Sequence, residues 1–168
     1  MQQRRPAFLT VAALLAVLAL PLEAVQAQSM VGRAAPEITL PNGGMFGVTP
    51  KTKLSQYRGD VVLVVFWSTT CSRCRRHMAL VQRLHTRYHS KGLKTLAVAS
   101  SSHAQLRTYM RGHKYNFGVG ADPQSYNLHK YGVKHYPATF LVGRDGRVKS
   151  STGRLSTAIE RELRVPKR

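Results

Sequence analysis

The only two cysteines of this 168-residue chain stand three residues apart, in Cys71-Ser72-Arg73-Cys74. They follow closely on the unbroken apolar run Val61-Val62-Leu63-Val64-Val65-Phe66-Trp67. A run of β-branched and aromatic residues this continuous fits a strand buried on both faces, at the centre of a sheet. Beyond it Cys74, Met78, Val81, Leu84 and Tyr88 recur every three or four residues, which predicts a helix from Cys71 to Tyr88 with one apolar stripe. A central strand that feeds a helix carrying two thiols in its first turn therefore constrains everything else.

The remaining elements arrange themselves around that pair. Residues 28–58 read as an irregular lead-in, with Glu37–Leu40 as a short strand and Pro41-Asn42-Gly43-Gly44 as a turn. Gly92 ends the first helical region and Leu93–Ala99 is a second strand. Ser102 and Gln105 form a capping box that opens a helix to about Arg111, with Gly112 as its stop. A further helix is expected from Gln124 to Tyr131. Ala138–Val142 is a third strand, and Asp145-Gly146 turns it into a hairpin with Val148–Ser151. Thr157 and Glu160 are placed to cap a last helix that ends before Pro166. Alternating strands and helices imply a layered α/β domain.

The N-terminus reads as an export signal. Arg4 and Arg5 precede an apolar run from Ala7 to Leu20, Pro21 breaks it, and Val25-Gln26-Ala27 suits cleavage after Ala27. Fourteen residues is short of the roughly 20 that a spanning helix needs. An uncleaved anchor that borrows Leu22, Ala24 and Val25 stays open. The expected organisation is a signal peptide (or anchor) over 1–27 and one domain over 28–168, on the periplasmic side. The chain carries 26 Lys and Arg against 7 Asp and Glu, and only Arg4, Arg5 and Glu23 leave with the signal. The positive surplus thus belongs to the working domain and draws it toward anionic partners.

Two cysteines in the first turn of a helix bring their sulfurs within bonding reach. The free N–H groups and the dipole of that helix end stabilise a thiolate, the species that attacks disulfides. Arg73, Arg75, Arg76 and His77 surround the pair, and Arg73 and Arg75 are expected to lower the thiol pKa further. A stabilised thiolate makes the disulfide the stronger oxidant. Three other readings compete. A structural disulfide closing so small a loop adds little constraint. A zinc half-site lacks a second cysteine pair, though His77 offers a third ligand. Two inert buried thiols sit poorly with an export signal.

The stretch Val64-Val65-Phe66-Trp67-Ser68-Thr69-Thr70-Cys71-Ser72-Arg73-Cys74-Arg75 resembles the active-site segment of the thioredoxin superfamily, and within it the exported TlpA/ResA-like proteins. Ala35–Leu40 and Leu54–Asp60 resemble the lead-in of that branch. Tyr131–Val142 resembles its proline segment, and Asp145-Gly146 the turn that follows. The resemblance implies a thioredoxin-like fold: a central mixed β-sheet flanked by helices, with an N-terminal lead-in and a closing β-hairpin. It implies Cys71 as nucleophile, Cys74 as resolving thiol and Pro137 as a cis-proline that helps dock substrate. Trp67, Thr70 and Tyr136 are the implied substrate contacts, Tyr136 through its backbone, as in a short β-augmentation. Several positions depart from the family pattern. Thr70 stands where a Trp is usual, Ser72-Arg73 where Gly-Pro is frequent, and Ala79 where many members carry a proline. The family's proton-transferring acid is missing: Ser100-Ser101-Ser102 and Val65 occupy the positions compared. His77 and His103 are its nearest substitutes, and both read as solvated surface histidines.

The seven histidines raise metal handling. His85 and His89 share a helix face but have no accompanying acid, so they read as solvated. His135 lies close in sequence to Pro137. A copper-binding or copper-delivering protein using Cys71, Cys74 and a histidine is therefore the alternative function. No nucleic-acid reading module, phosphate loop, Ser-His-Asp set or carboxylate pair is present, and the Pro-x-x-x-Thr-x-x-Cys pattern of peroxide-reducing relatives is absent. The reading is an exported, monomeric thiol–disulfide oxidoreductase acting on protein thiols and disulfides. It needs no cofactor or resident metal, does not bind nucleic acid, and is either a reductant in cytochrome c maturation or a general envelope thiol exchanger. Its charge leaves association with an anionic membrane surface open.

Overall fold

A computed structural model describes residues 30–40, 45–47, 51–151 and 154–167. The expected signal segment with its cleavage point, and the Pro41–Gly44 turn, lie outside the described residues. Six strands form one mixed sheet: β1 (Met45–Phe46), β2 (Val61–Trp67), β3 (Leu93–Ala99), β4 (Gly118–Ala121), β5 (Ala138–Val142) and β6 (Val148–Ser150). Their order across the sheet is β1-β4-β3-β2-β5-β6. β2, β3 and β4 run parallel; β1 and β5 run against them, and β6 pairs antiparallel with β5. Among the described residues, four α-helices accompany the sheet: α1 (Ser72–Tyr88), α2 (His103–Arg111), α3 (Tyr126–Lys130) and α4 (Leu155–Arg164).

The unbroken apolar run earns its central place. Every residue of β2 is at most 1% exposed, and its side chains alternate between two cores. Val61, Leu63, Val65 and Trp67 meet the stripe of α1 (Cys74, Met78, Val81, Leu84, Tyr88), together with Leu106 of α2 and Leu155 and Ile159 of α4. Val62, Val64 and Phe66 face Ile38, Leu40, Leu128, Tyr131 and Phe140 on the other side. Each such fully buried side chain contributes about 1.5–3 kcal/mol over an exposed one.

The fold matches the expected α/β architecture, and the differences are local. Glu37–Leu40 is not a strand: Thr39 makes a single bridge to Lys53, while Ile38 and Leu40 plug the second core. The segment pairs only locally, through Leu40 N–H to Thr52 O and Leu54 N–H to Ile38 O, and joins no strand of the sheet, so alternation here reflects plugging. β4 and the two-residue β1 had no counterpart in the sequence reading. β4 is Gly-Val-Gly-Ala, a composition that reads as a turn, yet all four residues are buried against β3. α3 is shorter than expected. It starts after Ser125, whose φ of 59° no helix continues, and the buried Asp122 carboxylate accepts the N–H groups of Asn127 and Leu128 (3.0 and 3.3 Å). α4 begins at Leu155, with Arg154 as N-cap, so Thr157 lies inside the helix and caps nothing. α2 keeps its capping box: Ser102 Oγ accepts Gln105 N–H, and Gln105 Oε1 accepts Ser102 N–H.

Candidate active site at the start of α1

Three strands end side by side where α1 begins. The loop Ser68-Thr69-Thr70 leaves β2 and is tied to the end of β3. Ser100 N–H donates to Trp67 O (2.9 Å), and Thr69 N–H donates to Ser101 Oγ (3.2 Å). The Thr69 and Ser101 hydroxyls, both buried, lie 3.0 Å apart, and those of Ser100 and Ser125 3.1 Å. Thr70 is exposed, its hydroxyl 3.0 Å from that of Ser68. Hydroxyls thus occupy the Ser100–Ser102 position where an acid was missing. The apolar strand ends gave no sign of this network, although the run of three serines was its one visible trace.

Cys71 is the N-cap of α1 (φ −85°, ψ 111°), and its Sγ accepts the backbone N–H of Cys74 at 3.2 Å. The two cysteines are joined in a disulfide with their Cα atoms 5.2 Å apart. They differ in access: Cys71 is partly exposed, whereas Cys74 is fully buried against the core. An incoming sulfur can reach only the first. The Tyr136–Pro137 bond is cis. Pro137 immediately precedes Ala138, which pairs with Phe66, so the proline loop enters the sheet beside the end of β2. Tyr136 is half-buried and packs against both cores.

Trp67 does not fit a substrate contact. It is wholly buried, its ring edge-on to Tyr109 at 5.1 Å, and it presents no surface to a docking chain. Its place at the end of a strand covered on both faces explains this: it packs beneath the loop that carries the cysteines. Arg73, Arg75 and Arg76 are exposed, and none is paired with a carboxylate among the described residues. Cations near a helix N-terminus oppose its dipole, at about 0.3–1 kcal/mol each. The first turn contains no acid to offset them.

Two histidines depart from the solvated reading. His77, one turn past Cys74, is half-buried and its Nε2 lies 2.7 Å from Thr139 Oγ1; burial lowers its pKa. Thr139 sits directly across from Val65, so the His77–Thr139 pair occupies the face of the sheet where an acid at Val65 would project. His85 is only 3% exposed, with Nδ1 3.0 Å from Thr95 Oγ1. Burial, helped by His89 and Lys94, pushes its pKa down to about 4. The spacing Met78–Val81–His85 continues the apolar stripe and was the available signal. His89 and His135 are exposed, and His103 is half-buried at the start of α2. Among the described residues no three His, Cys, Asp or Glu side chains are grouped as metal ligands would be.

Residues 31–151 match the AhpC/TSA family. The chain is similar to the thiol-disulfide oxidoreductase ResA of Geobacillus thermodenitrificans, with 33% identity over 98 residues, covering 58% of this chain and 56% of that one. It thus spans little more than half the length of the first curated relatives it matches. A candidate DsbE-type thiol:disulfide interchange protein of Chlorobium tepidum superposes with a TM-score of 0.69 at 29% identity, over 77% of this chain and 95% of that one. A thioredoxin-like superfamily protein superposes with a TM-score of 0.71 at 18% identity, over 80% and 99%, which shows the shared fold.

Proposed function

Because the chain belongs to the AhpC/TSA family, we propose that it is a thiol–disulfide oxidoreductase of the ResA-like kind that exchanges disulfides with protein substrates outside the cytoplasm. The observation that carries this reading is the Cys71–Cys74 disulfide at the start of α1, with one sulfur accessible and one buried, beside the cis-Pro137 loop. In the reduced protein the Cys71 thiolate attacks one sulfur of a substrate disulfide. A Cys71–substrate disulfide forms, and the other substrate sulfur leaves as a thiolate and takes a proton. Cys74, as thiolate, then attacks the Cys71 sulfur. The Cys71–Cys74 disulfide closes and the second substrate thiol departs, so two electrons and two protons reach the substrate. The oxidising direction is the same sequence reversed.

Tyr136 and Pro137 supply the edge along which an extended substrate lies, with Thr70 beside the entering sulfur. Arg73 and Arg75 favour the Cys71 thiolate by charge. The resemblance to the ResA-like branch implies the reducing direction, and on this reading the chain acts as a periplasmic monomer that keeps cytochrome c precursors or other envelope thiols reduced. The arginines favour the opposite direction. The reduction potential decides between them: about −270 mV indicates a reductant and about −120 mV an oxidant.

Trapping tests the exchange itself. Cys74→Ser accumulates mixed disulfides through Cys71, visible as reductant-sensitive bands in a non-reducing gel. Cys71→Ser forms none and loses exchange activity down to the uncatalysed level. If Cys74→Ser traps nothing while Cys71→Ser keeps its activity, the mechanism is wrong.

A further inference from the structure

The few acids of this chain are sorted by position. Between Asp60 and Asp122 the sequence contains no carboxylate at all. That stretch includes β2, the cysteines and the whole of α1. Among the described residues, the acids that remain gather, with one exception, at the opposite end of the sheet. Asp60 precedes β2 and pairs with Lys167, while Asp145 lies in the β5–β6 turn and pairs with Lys149. Glu160 and Glu162 are in the second half of α4, and Glu160 meets Tyr88 at the last residue of α1. Glu37 accepts Ser55 N–H and lines a hollow with Val62, Val142 and Gly146. Among the described residues, Asp122 alone lies at the cysteine end. It is 5% exposed, and its carboxylate is committed to two backbone N–H groups of α3.

Cations stand at both ends, and at the cysteine end they stand without an exposed acid among the described residues. Arg73, Arg75 and Arg76 stand exposed on the first turns of α1, and Lys134 and His135 stand exposed two to three residues before Pro137. A seven-residue strand is about 20 Å long, more than two screening lengths at physiological salt, where the Debye length is about 8 Å. The far acids therefore leave the field around Cys71 uncompensated. The arginines also oppose the helix dipole, so folding alone does not account for their position.

We propose that the redox face docks an acidic segment of its partner protein, with Asp or Glu residues flanking the reacting cysteine. The inference rests on the exchange activity proposed above and names the substrate class. A flat anionic membrane seated on these cations would cover Cys71, the one sulfur that must meet another. An acidic protein segment brings its own sulfur into the same field.

The experiment uses the purified full chain, reduced, and three synthetic disulfide peptides whose cysteine is flanked by Asp and Glu, by Ser and Gly, or by Lys. Second-order exchange rates are measured from low to high salt. At low salt the acidic peptide reacts about tenfold or more faster than the basic one, within the range of electrostatic steering. The advantage collapses in 1 M salt, where screening acts within about 3 Å. In Arg76→Glu/Lys134→Glu the ratio of acidic to neutral rates falls toward one or below. Equal rates for all three peptides, insensitive to salt, overturn the inference while leaving the activity intact. Failure of every peptide, the neutral one included, counts instead against the exchange reading. Equal peptide rates, combined with binding to phosphatidylglycerol-containing vesicles that is lost in the double variant, assign the charge to a membrane surface and overturn the proposal.

Discussion

Helix α1 reaches into the sheet twice with the same device, a histidine ring bonded to a threonine hydroxyl, and the two copies live in different surroundings. Near the helix start, half-buried His77 meets Thr139 of β5, close to Cys74 and two residues after the cis-proline. Two turns on, His85 meets Thr95 of β3 in the core, packed against Phe117 at 5.3 Å and His89 at 4.9 Å. Desolvation disfavours the charged form of both rings, but only at His85 do neighbouring groups, His89 and Lys94, lower the pKa further. One bond type therefore serves two ends. Around His85 it completes a core that must stay neutral. Around His77 it fills, with a group that still reaches solvent, the place beside the resolving thiol where an acid is lacking. The difference comes from depth and neighbouring charge, because the bonded atoms are alike.

The largest test of this contrast is acid stability. His85 titrates near 4 in the folded chain and at about 6.5 when unfolded. Between those values only the unfolded chain binds the proton. Stability is therefore full above about pH 6.5 and falls as pH drops toward 4, by about 3 kcal/mol. Urea unfolding of the wild type and of His85→Gln at pH 7 and pH 4.5 measures it. The variant escapes most of that loss, and equal losses would mean that His85 is charged in the fold.

A smaller contrast separates the two threonines. Thr95→Val leaves a buried ring nitrogen without its partner and lowers stability by about 1–3 kcal/mol. Thr139→Val leaves His77 able to bond water and costs about 0.5–1.5 kcal/mol. Thermal or denaturant midpoints that reverse this order would erase the distinction. The smallest effect is kinetic. Residues three apart on a helix are close neighbours, so protonated His77 favours the Cys74 thiolate by a modest Coulomb term. Because burial lowers the His77 pKa, the effect emerges only as pH falls well below the ordinary histidine range: there His77→Gln slows the resolving step by about threefold, read by stopped-flow thiol exchange, and His85→Gln leaves it unchanged.

Much of this was legible in the sequence because it followed from periodicity. β2, β3, β5 and the extent of α1 and α2 were all expected at the residues where they occur, since their apolar patterns match how they are buried. The cysteine pair and the proline were legible for a different reason: their residue types are scarce and their spacing is specific. What escaped depended on tertiary partners. Gly118–Ala121 is a strand only because β3 offers it an edge. Ile38 and Leu40 alternate because they plug a core. His85 reads as a surface group in the sequence because a titratable side chain on a helix is usually solvated, although its register with Met78 and Val81 points inward. The Thr69–Ser101 pair joins residues 32 apart in sequence, and nothing local announces it.

Cys71 is the atom that caps α1 as well as the one an incoming sulfur can reach. A disulfide sulfur is a weak acceptor for the Cys74 N–H, whereas a thiolate is a charged one. The electron affinity of the pair and the fraying of the first helical turn are therefore linked functions, each the derivative of a shared free energy. A partner that tightens this turn on docking shifts the pair toward its reduced form, and one that loosens it shifts the pair toward the disulfide. Neither needs to touch the sulfur to do so, so the redox poise of such a site belongs in part to whichever protein is bound to it.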